Sequence, residues 1–133
     1  MTTLKVVVSG SRGIYDAVAY DVFKEHMSDS LAKHSGHTSI VIIAGGAQGV
    51  DQFAKRYAKE NAFLYREFRP VYHSAKGDRG APLRRNEDMA KEGDIVVALW
   101  DGKSPGTAHM MRTMERKYKK PVYLRVHEKK SIL

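Results

Sequence analysis

The chain alternates between short apolar runs rich in β-branched residues and longer stretches where apolar residues recur every three or four positions. Residues 4–8, Leu-Lys-Val-Val-Val, form the first run, closed by Ser9-Gly10-Ser11, and read as a buried strand. Across 16–33, Tyr20, Phe23, Met27 and Leu31 line one face of a helix, which Ser35-Gly36-His37 ends. Residues 39–44 are a second strand. Val50, Phe53, Ala54, Tyr57 and Ala58 then recur at i, i+3, i+4, i+7 and i+8, the signature of an amphipathic helix. Residues 63–68 alternate apolar with polar and read as a third strand near a sheet edge. The polar stretch 69–81 shows no period, and loops of that length inside compact domains are often functional. Pro82 suits the first turn of a short helix running to about Lys91. Residues 94–100 are the clearest core strand, Gly106 opens a helix carrying Met110, Met111, Met114 and Tyr118, and 121–126 form the last strand.

Strands and helices thus alternate along the whole chain, without repeat or linker. That order predicts an α/β fold: a doubly wound, mostly parallel sheet of about five strands with helices on both faces. We expect a single domain over 1–127 and a loose tail over 128–133. With 133 residues, 42% of them hydrophobic, one sizeable core is within reach. No apolar run is long enough to span a membrane, and the apolar part of the N-terminus is too short for a signal peptide. The absence of cysteine excludes disulfides and thiolate metal sites and suits a reducing cytoplasm.

A formal net charge of +8 suggests an anionic partner, which is nucleic acid, a nucleotide, or nothing specific. Within 112–120, five cations face a single carboxylate, Glu115, which describes either a solvated helix face or a nucleic-acid contact. The six histidines are scattered, with no convincing metal spacing.

On a parallel sheet, ligands bind beyond the carboxyl ends of the strands, where the strand order reverses. Three glycine-bearing strand-to-helix turns fall on that edge: Ser9-Gly10-Ser11-Arg12, Gly45-Gly46-Ala47-Gln48-Gly49, and the segment from Asp101 to Thr107. A helix N-terminus there offers unpaired N–H groups and partial positive charge to a phosphate. The spacing Gly45-Gly46-x-x-Gly49 is neither the dinucleotide fingerprint nor a P-loop, so a standard NAD site or NTPase is not supported. Arg12 is placed to pair with phosphate. Asp51, in the first turn of its helix, serves either the dipole or the hydroxyls of a ribose. Ser104 and Thr107 either donate to phosphate or cap their helix. Arg84 and Arg85 cannot share a helical face, so one turns toward the ligand edge and the other toward solvent. Trp100 either packs or stacks on a base. His109 lies close enough to this edge to watch.

Several separated motifs agree with one family. Val8-Ser9-Gly10-Ser11-Arg12, Gly45-Gly46-Ala47-Gln48-Gly49-Val50-Asp51, Arg85-Asn86 with Met89, and Trp100-Asp101-Gly102-Lys103-Ser104-Pro105-Gly106-Thr107 resemble the SLOG superfamily. These are Rossmann-like domains related to the "lonely guy" phosphoribohydrolases and to DNA-processing protein A. Within it, the stand-alone group related to YspA, found in bacteria and their phages, fits best. The resemblance implies a Rossmann-like fold, a nucleotide or nucleotide-derived ligand, and a homodimer or higher homo-oligomer. It implies a place in the cytoplasm of a bacterial or phage-infected cell, with no cofactor, metal or membrane. The family's motif positions map onto Gly10, Ser11, Arg12, Gly45, Gly46, Gly49, Asp51, Arg85, Asn86, Gly106 and Thr107, and Ala47, Asp101, Gly102 and Ser104 complete the expected site.

One position departs from the hydrolase pattern. Where the phosphoribohydrolases carry the Glu of P-G-G-x-G-T-x-x-E, this chain has Met110. A thioether neither ionises nor transfers a proton near neutral pH. The leading expectation is therefore a nucleotide-binding protein that senses or sequesters its ligand. The alternatives are an N-glycosidase acting on nucleoside 5′-monophosphates and a single-stranded nucleic-acid-binding protein.

Overall fold

The computed structural model describes residues 2–74 and 77–128; of the tail expected over 128–133, residues 129–133 lie outside the described residues. The strands are β1 (Thr3–Gly10), β2 (Ser39–Ala44), β3 (Leu64–Glu67), β4 (Ile95–Trp100) and β5 (Val122–Val126). They form one parallel sheet in the order β3-β2-β1-β4-β5. The helices are α1 (Ala17–Ala32), α2 (Val50–Glu60), α3 (Ala81–Glu92) and α4 (Pro105–Arg112), the last continuing into a π-helical turn, Thr113–Lys117. This is the Rossmann-like α/β arrangement that the alternating pattern predicts.

Alternation along β1 divides the core. Leu4, Val6 and Val8 face α1 and α2, together with Ile42, Ile95, Val97 and Leu99. Val7 faces the other way, with Val41, Ile43 and Val96, under Met89 of α3 and Met110 and Met114 at the end of the chain's last helix. Apolar residues on both faces are what a fully covered parallel sheet requires. The α1/α2 side is the aromatic one: Phe23 lies 5.6 Å from Phe53 and 5.9 Å from Tyr57, ring centroid to centroid. Such tilted and edge-on pairs add to the burial of the rings themselves.

Helix boundaries follow local chemistry. Asp16 caps α1, accepting from the Ala19 N–H at 2.8 Å. Pro82 sits in the first turn of α3, as expected. The helix expected to run unbroken from Gly106 through Tyr118 instead starts at Pro105 and widens after Arg112. There the Thr113 hydroxyl donates to the His109 carbonyl at 2.8 Å, and the Tyr118 N–H reaches back five residues to Thr113. A hydroxyl competing for a helical carbonyl loosens the ladder, and the wider turn keeps Met114 buried. Among the described residues no helix is long and apolar enough to cross a membrane.

Phe23 is fully buried where α1, α2 and the sheet meet. Phe23→Ala is expected to lower unfolding free energy by about 3–5 kcal/mol, read as a fall in the urea midpoint at unchanged slope.

Candidate functional site

From β1 the chain returns through β2 to β3 on one side, whereas β4 leads to β5 on the other. The loops that leave β1 and β4 therefore diverge, and a cleft of about 370 Å³ opens between them at the carboxyl end of the sheet. From β1 and its loop come Gly10 and Arg12; from the approach to α2 come Ala47 and Asp51. α3 supplies Arg85 and Asn86, and the β4–α4 turn supplies Asp101, Ser104, Gly106 and Thr107. Five residues singled out in the sequence do not line it. Ser11 is buried beneath its floor, Gly45, Gly46 and Gly49 stand behind its wall, and Gly102 is an exposed turn residue.

Ser11 ties the two diverging strands. Its N–H donates to Leu99 O at 3.2 Å, and its Oγ accepts from the Asp101 N–H at 2.9 Å. Its carbonyl accepts from the Val50 N–H at 3.3 Å, so one residue also joins β1 to the start of α2. That close approach depends on Gly49, which has φ of +76° and where any Cβ would overlap the Ser11 and Arg12 main chain.

The turn before α2 is filled from within. The Asp51 carboxylate accepts from the Ala47 N–H at 3.0 Å and from the Gly45 N–H. It occupies the concavity of main-chain donors that an external anion would otherwise use. Burial pushes the Asp51 carboxyl up from the usual range, against the two N–H groups and the nearby Arg85 and Arg12. Arg85 lies against Gly45, where a side chain would overlap its guanidinium. Its Nη1 donates to Gly45 O at 3.0 Å and to Phe68 O at 3.2 Å. Glycine in this turn thus makes room for the protein's own Arg85 and, at Gly46, for Glu67.

The amino end of α4 is different. Asp101 folds back over its own turn, its Oδ1 accepting from the Lys103 and Ser104 N–H groups at 2.8 Å each. Burial alone would raise its pKa, but these bonds and those from the Ser104 and Ser11 hydroxyls hold it at about 2. Asp101 is therefore an ionised acceptor and not an acid. Pro105, first in the helix, has no N–H to give. The N–H groups of Gly106 and Thr107 have no acceptor among the described residues, and both residues line the cleft. This helix end leaves two main-chain donors at the cleft without an internal acceptor.

On α3, the two adjacent arginines diverge. Arg84 pairs with Asp78 and donates to Val71 O at 3.3 Å, at the surface. Arg85 turns into the cleft wall. Its Nε donates to Asn86 Oδ1 at 3.1 Å, and Asn86 Nδ2 reaches Gly106 O at 3.3 Å and His109 Nδ1 at 3.2 Å. Burial, with Arg112 behind it, lowers the His109 pKa, and Glu87 partly offsets this.

Other candidates lie elsewhere. Trp100 is half-buried outside the cleft, its indole donating to Ser104 O at 2.9 Å and so steadying the turn. Met110 is fully buried in the α3/α4 side of the core and does not reach the cleft. In the basic segment 112–120, Lys117 pairs with Glu87 and Lys120 caps the Ala90 and Lys91 carbonyls, so both cations serve α3. Sequence reasoning passed over Val8, Ser9, Gly13, Pro82, Leu83 and Pro105, which complete the cleft. For Ser9 and Pro105 the signal was their place on the glycine-bearing turns, and for Pro82 and Leu83 their place in the first turn of α3, next to Arg85 and Asn86. No group of three or more metal-binding side chains occurs among the described residues.

A family model described as the YspA, cpYpsA-related SLOG family matches residues 4–73. The Gene 61 protein of Mycobacterium phage D29 is 30% identical over 123 residues, covering 84% of this chain and 89% of that protein. Two solved structures share the fold. DNA processing protein A from Helicobacter pylori, described for its single-stranded DNA binding mode, superposes with a TM-score of 0.67 at 23% identity. The match takes in 98% of this chain and 69% of that one. TM1055 superposes with a TM-score of 0.62 at 22% identity, over 90% of this chain and 72% of its own. The main-chain path, the motif order and the switch-point cleft all agree with the match over 4–73, more than half of the sequence, and with the phage relative. The chain belongs to the YspA, cpYpsA-related SLOG family.

Proposed function

We propose that the protein binds a nucleotide or nucleotide-derived small molecule in the switch-point cleft, with a phosphate at the amino end of α4, and acts as a sensor or sequestering protein. One observation carries this reading: Gly106 and Thr107, adjacent in the first turn of α4, line the cleft with N–H groups that have no acceptor among the described residues. The Arg12 side chain stands on the same cleft and supplies charge to an anion held there. Across the cleft, Asp51, Arg85 and Asn86 form a polar wall suited to the hydroxyls of a sugar or the edge of a base. Membership of a SLOG family supports a nucleotide-type ligand.

Hydrolysis finds less support. An N-glycosidase needs a group to stabilise an oxocarbenium-like ribose and another to activate water. The position expected to carry that carboxylate is Met110, packed in the core. Asp101, held at about 2, has its lone pairs committed to Lys103 and Ser104.

Single-stranded nucleic-acid binding is a second reading, favoured by one surface. A groove of about 510 Å³ runs between α2 and the edge strand β3, lined by Lys55, Arg56 and Lys59 beside Phe63 and Tyr65. Cations flanking aromatic rings suit a phosphate backbone with unpaired bases. The neighbouring fold of DNA processing protein A, which binds single-stranded DNA, agrees with it.

A Cβ at Gly106 would meet nothing within 4 Å, so Gly106→Asp tests the first reading without disturbing the fold. A carboxylate in the first turn of α4 favours the helix dipole but repels a phosphate. In thermal-shift and calorimetric titrations with a panel of nucleoside mono- and diphosphates, the wild type is expected to be stabilised by at least one. Gly106→Asp is expected to melt no lower than wild type while binding that nucleotide roughly tenfold more weakly or worse. Equal binding by the two proteins removes the ligand from α4. Binding that instead follows oligo(dT), fades with salt and is lost in Lys55→Glu/Lys59→Glu supports the second reading.

Installing the missing hydrolase carboxylate is expected to fail. Met110→Glu buries an unpaired acid among Val7, Ile43 and Met114 and is expected to cost about 3–5 kcal/mol of stability. Incubated with AMP below its melting range, the variant should release no free base, measured by chromatography.

A further inference from the structure

The side chain that faces the cleft from α3 is held by a chain of hydrogen bonds that ends on a titratable group. Arg85 is half-buried, and its Nε can only donate, so the atom of Asn86 it meets at 3.1 Å must be the amide oxygen. Gly106 O can only accept, so the Asn86 atom facing it must be the NH₂ group, which confirms the same orientation from the other side. The second hydrogen of that NH₂ points at His109 Nδ1, 3.2 Å away. Nδ1 is then an acceptor, and the neutral ring carries its proton on Nε2.

This arrangement admits no alternative once His109 is protonated. An imidazolium Nδ1–H would face the Asn86 NH₂ donor to donor. Flipping the amide to present Oδ1 to the imidazolium turns NH₂ toward Arg85 Nε and Oδ1 toward the Gly106 carbonyl. Two like pairs then replace one. Asn86 is buried, so water cannot readily fill either gap, and an unpaired buried polar group is costly.

We infer that His109, acting through Asn86, is a positioning residue for the cleft: neutral His109 holds Asn86 where it joins Arg85 Nε to Gly106 O, and protonation, setting Nδ1–H against the Asn86 NH₂, displaces Asn86 and strains that link, while Arg85 keeps its bonds to the Gly45 and Phe68 carbonyls. The coupling belongs to the protein alone. Its consequence for ligand affinity rests on the cleft being the nucleotide site.

The surroundings set the direction. Glu87 on α3 favours the charged ring, but it is engaged by Lys117 from the π-helical turn and by the Tyr118 hydroxyl. Arg112, one turn along α4, opposes protonation, and burial opposes it further. His109 therefore stays neutral at pH 7, and the link through Asn86 is set. Because its pKa in the fold lies below the ordinary value of about 6.5, the associated stabilisation is present above that pH and is lost as pH falls through the lower folded value.

The test is nuclear magnetic resonance of the full-length protein between pH 7.5 and 5. The ¹⁵Nε–¹H resonance of Arg85 is expected to shift and exchange faster with water along the same curve as the His109 ring protons. In His109→Asn, whose amide oxygen can accept from Asn86 without titrating, the Arg85 resonance should hold still. An Arg85 resonance indifferent to the His109 titration in the wild type overturns the inference without any variant. So does one that follows the same curve in His109→Asn.

Calorimetric titration with AMP gives the functional arm. Wild-type affinity is expected to fall roughly fivefold more between pH 7.5 and 5.5 than that of His109→Asn. Protonation of the phosphate itself, near pH 6, acts on both proteins alike. Parallel affinity profiles for the two proteins count against the inference. If AMP binds neither protein, that result bears on the choice of ligand, and the Arg85 resonance alone decides the coupling.

Discussion

Everything at the ligand edge depends on the contact between β1 and β4 where their chains part. A parallel sheet that reverses its winding there must open a gap, because the two following helices leave for opposite faces. Ser11 bridges the gap with three bonds, to Leu99 O, from the Asp101 N–H and from the Val50 N–H. Those bonds satisfy main-chain groups at the sheet's end, where they are hidden from water, and they fix how far apart the loops can stand. The depth of the cleft and the direction of α4 are set at that point. Removing the hydroxyl would take away the bond that the Asp101 N–H donates to Ser11, directly beneath the turn that presents Gly106 and Thr107.

Two helices begin at this edge, and the protein treats them oppositely. At α2 it spends the local positive potential internally: Asp51 fills the turn, and Arg85 supports the charge that burial disfavours. At α4 the carboxylate that could have played the same part, Asp101, lies one turn earlier and bonds to Lys103 and Ser104, leaving the next two N–H groups open. A carboxylate therefore fills the turn before one helix, while the turn before the other keeps its carboxylate away from the first helical N–H groups. The two walls of the cleft thus differ, with main-chain donors of α4 on the β4 side and the side chains of Asp51, Arg85 and Asn86 between α2 and α3.

The fold was legible because period and punctuation agreed along most of the chain. Val6, Val7 and Val8, with glycine after them, could hardly be anything but a covered strand, and the spacing from Val50 to Ala58 allowed only a helix with one apolar face. The edge position of β3 followed from its alternation. What the sequence could not show was which donors were already taken. Gly45, Gly46 and Gly49 look like a loop cleared for a ligand, whereas the space beside them holds Arg85, Glu67 and the main chain of Ser11 and Arg12. Those partners come from β1, β3 and α3, and only tertiary contact brings them there. The π-helical turn was hidden for a similar reason: Thr113 fits a helical pattern until its hydroxyl finds the His109 carbonyl. The divergence of Arg84 and Arg85 could be anticipated from the angle between neighbours on a helix, because that constraint is local.

Asp101 and Asp51 on the cleft, and His109 behind Asn86, are each engaged by neighbouring groups of the protein. General acid–base chemistry needs a group whose proton is free to move near neutral pH, within reach of the reacting atoms. Asp101 has lost that freedom to four donors, and its pKa lies at about 2. Burial raises the Asp51 carboxyl, and two N–H groups with the guanidinium charges of Arg85 and Arg12 only partly oppose this. His109 is the group whose ordinary range lies nearest neutrality, and its Nδ1 is committed to Asn86. Each of these interactions fixes a side chain in place. Together they make a rigid, preorganised wall that loses little entropy when a ligand arrives, which favours affinity.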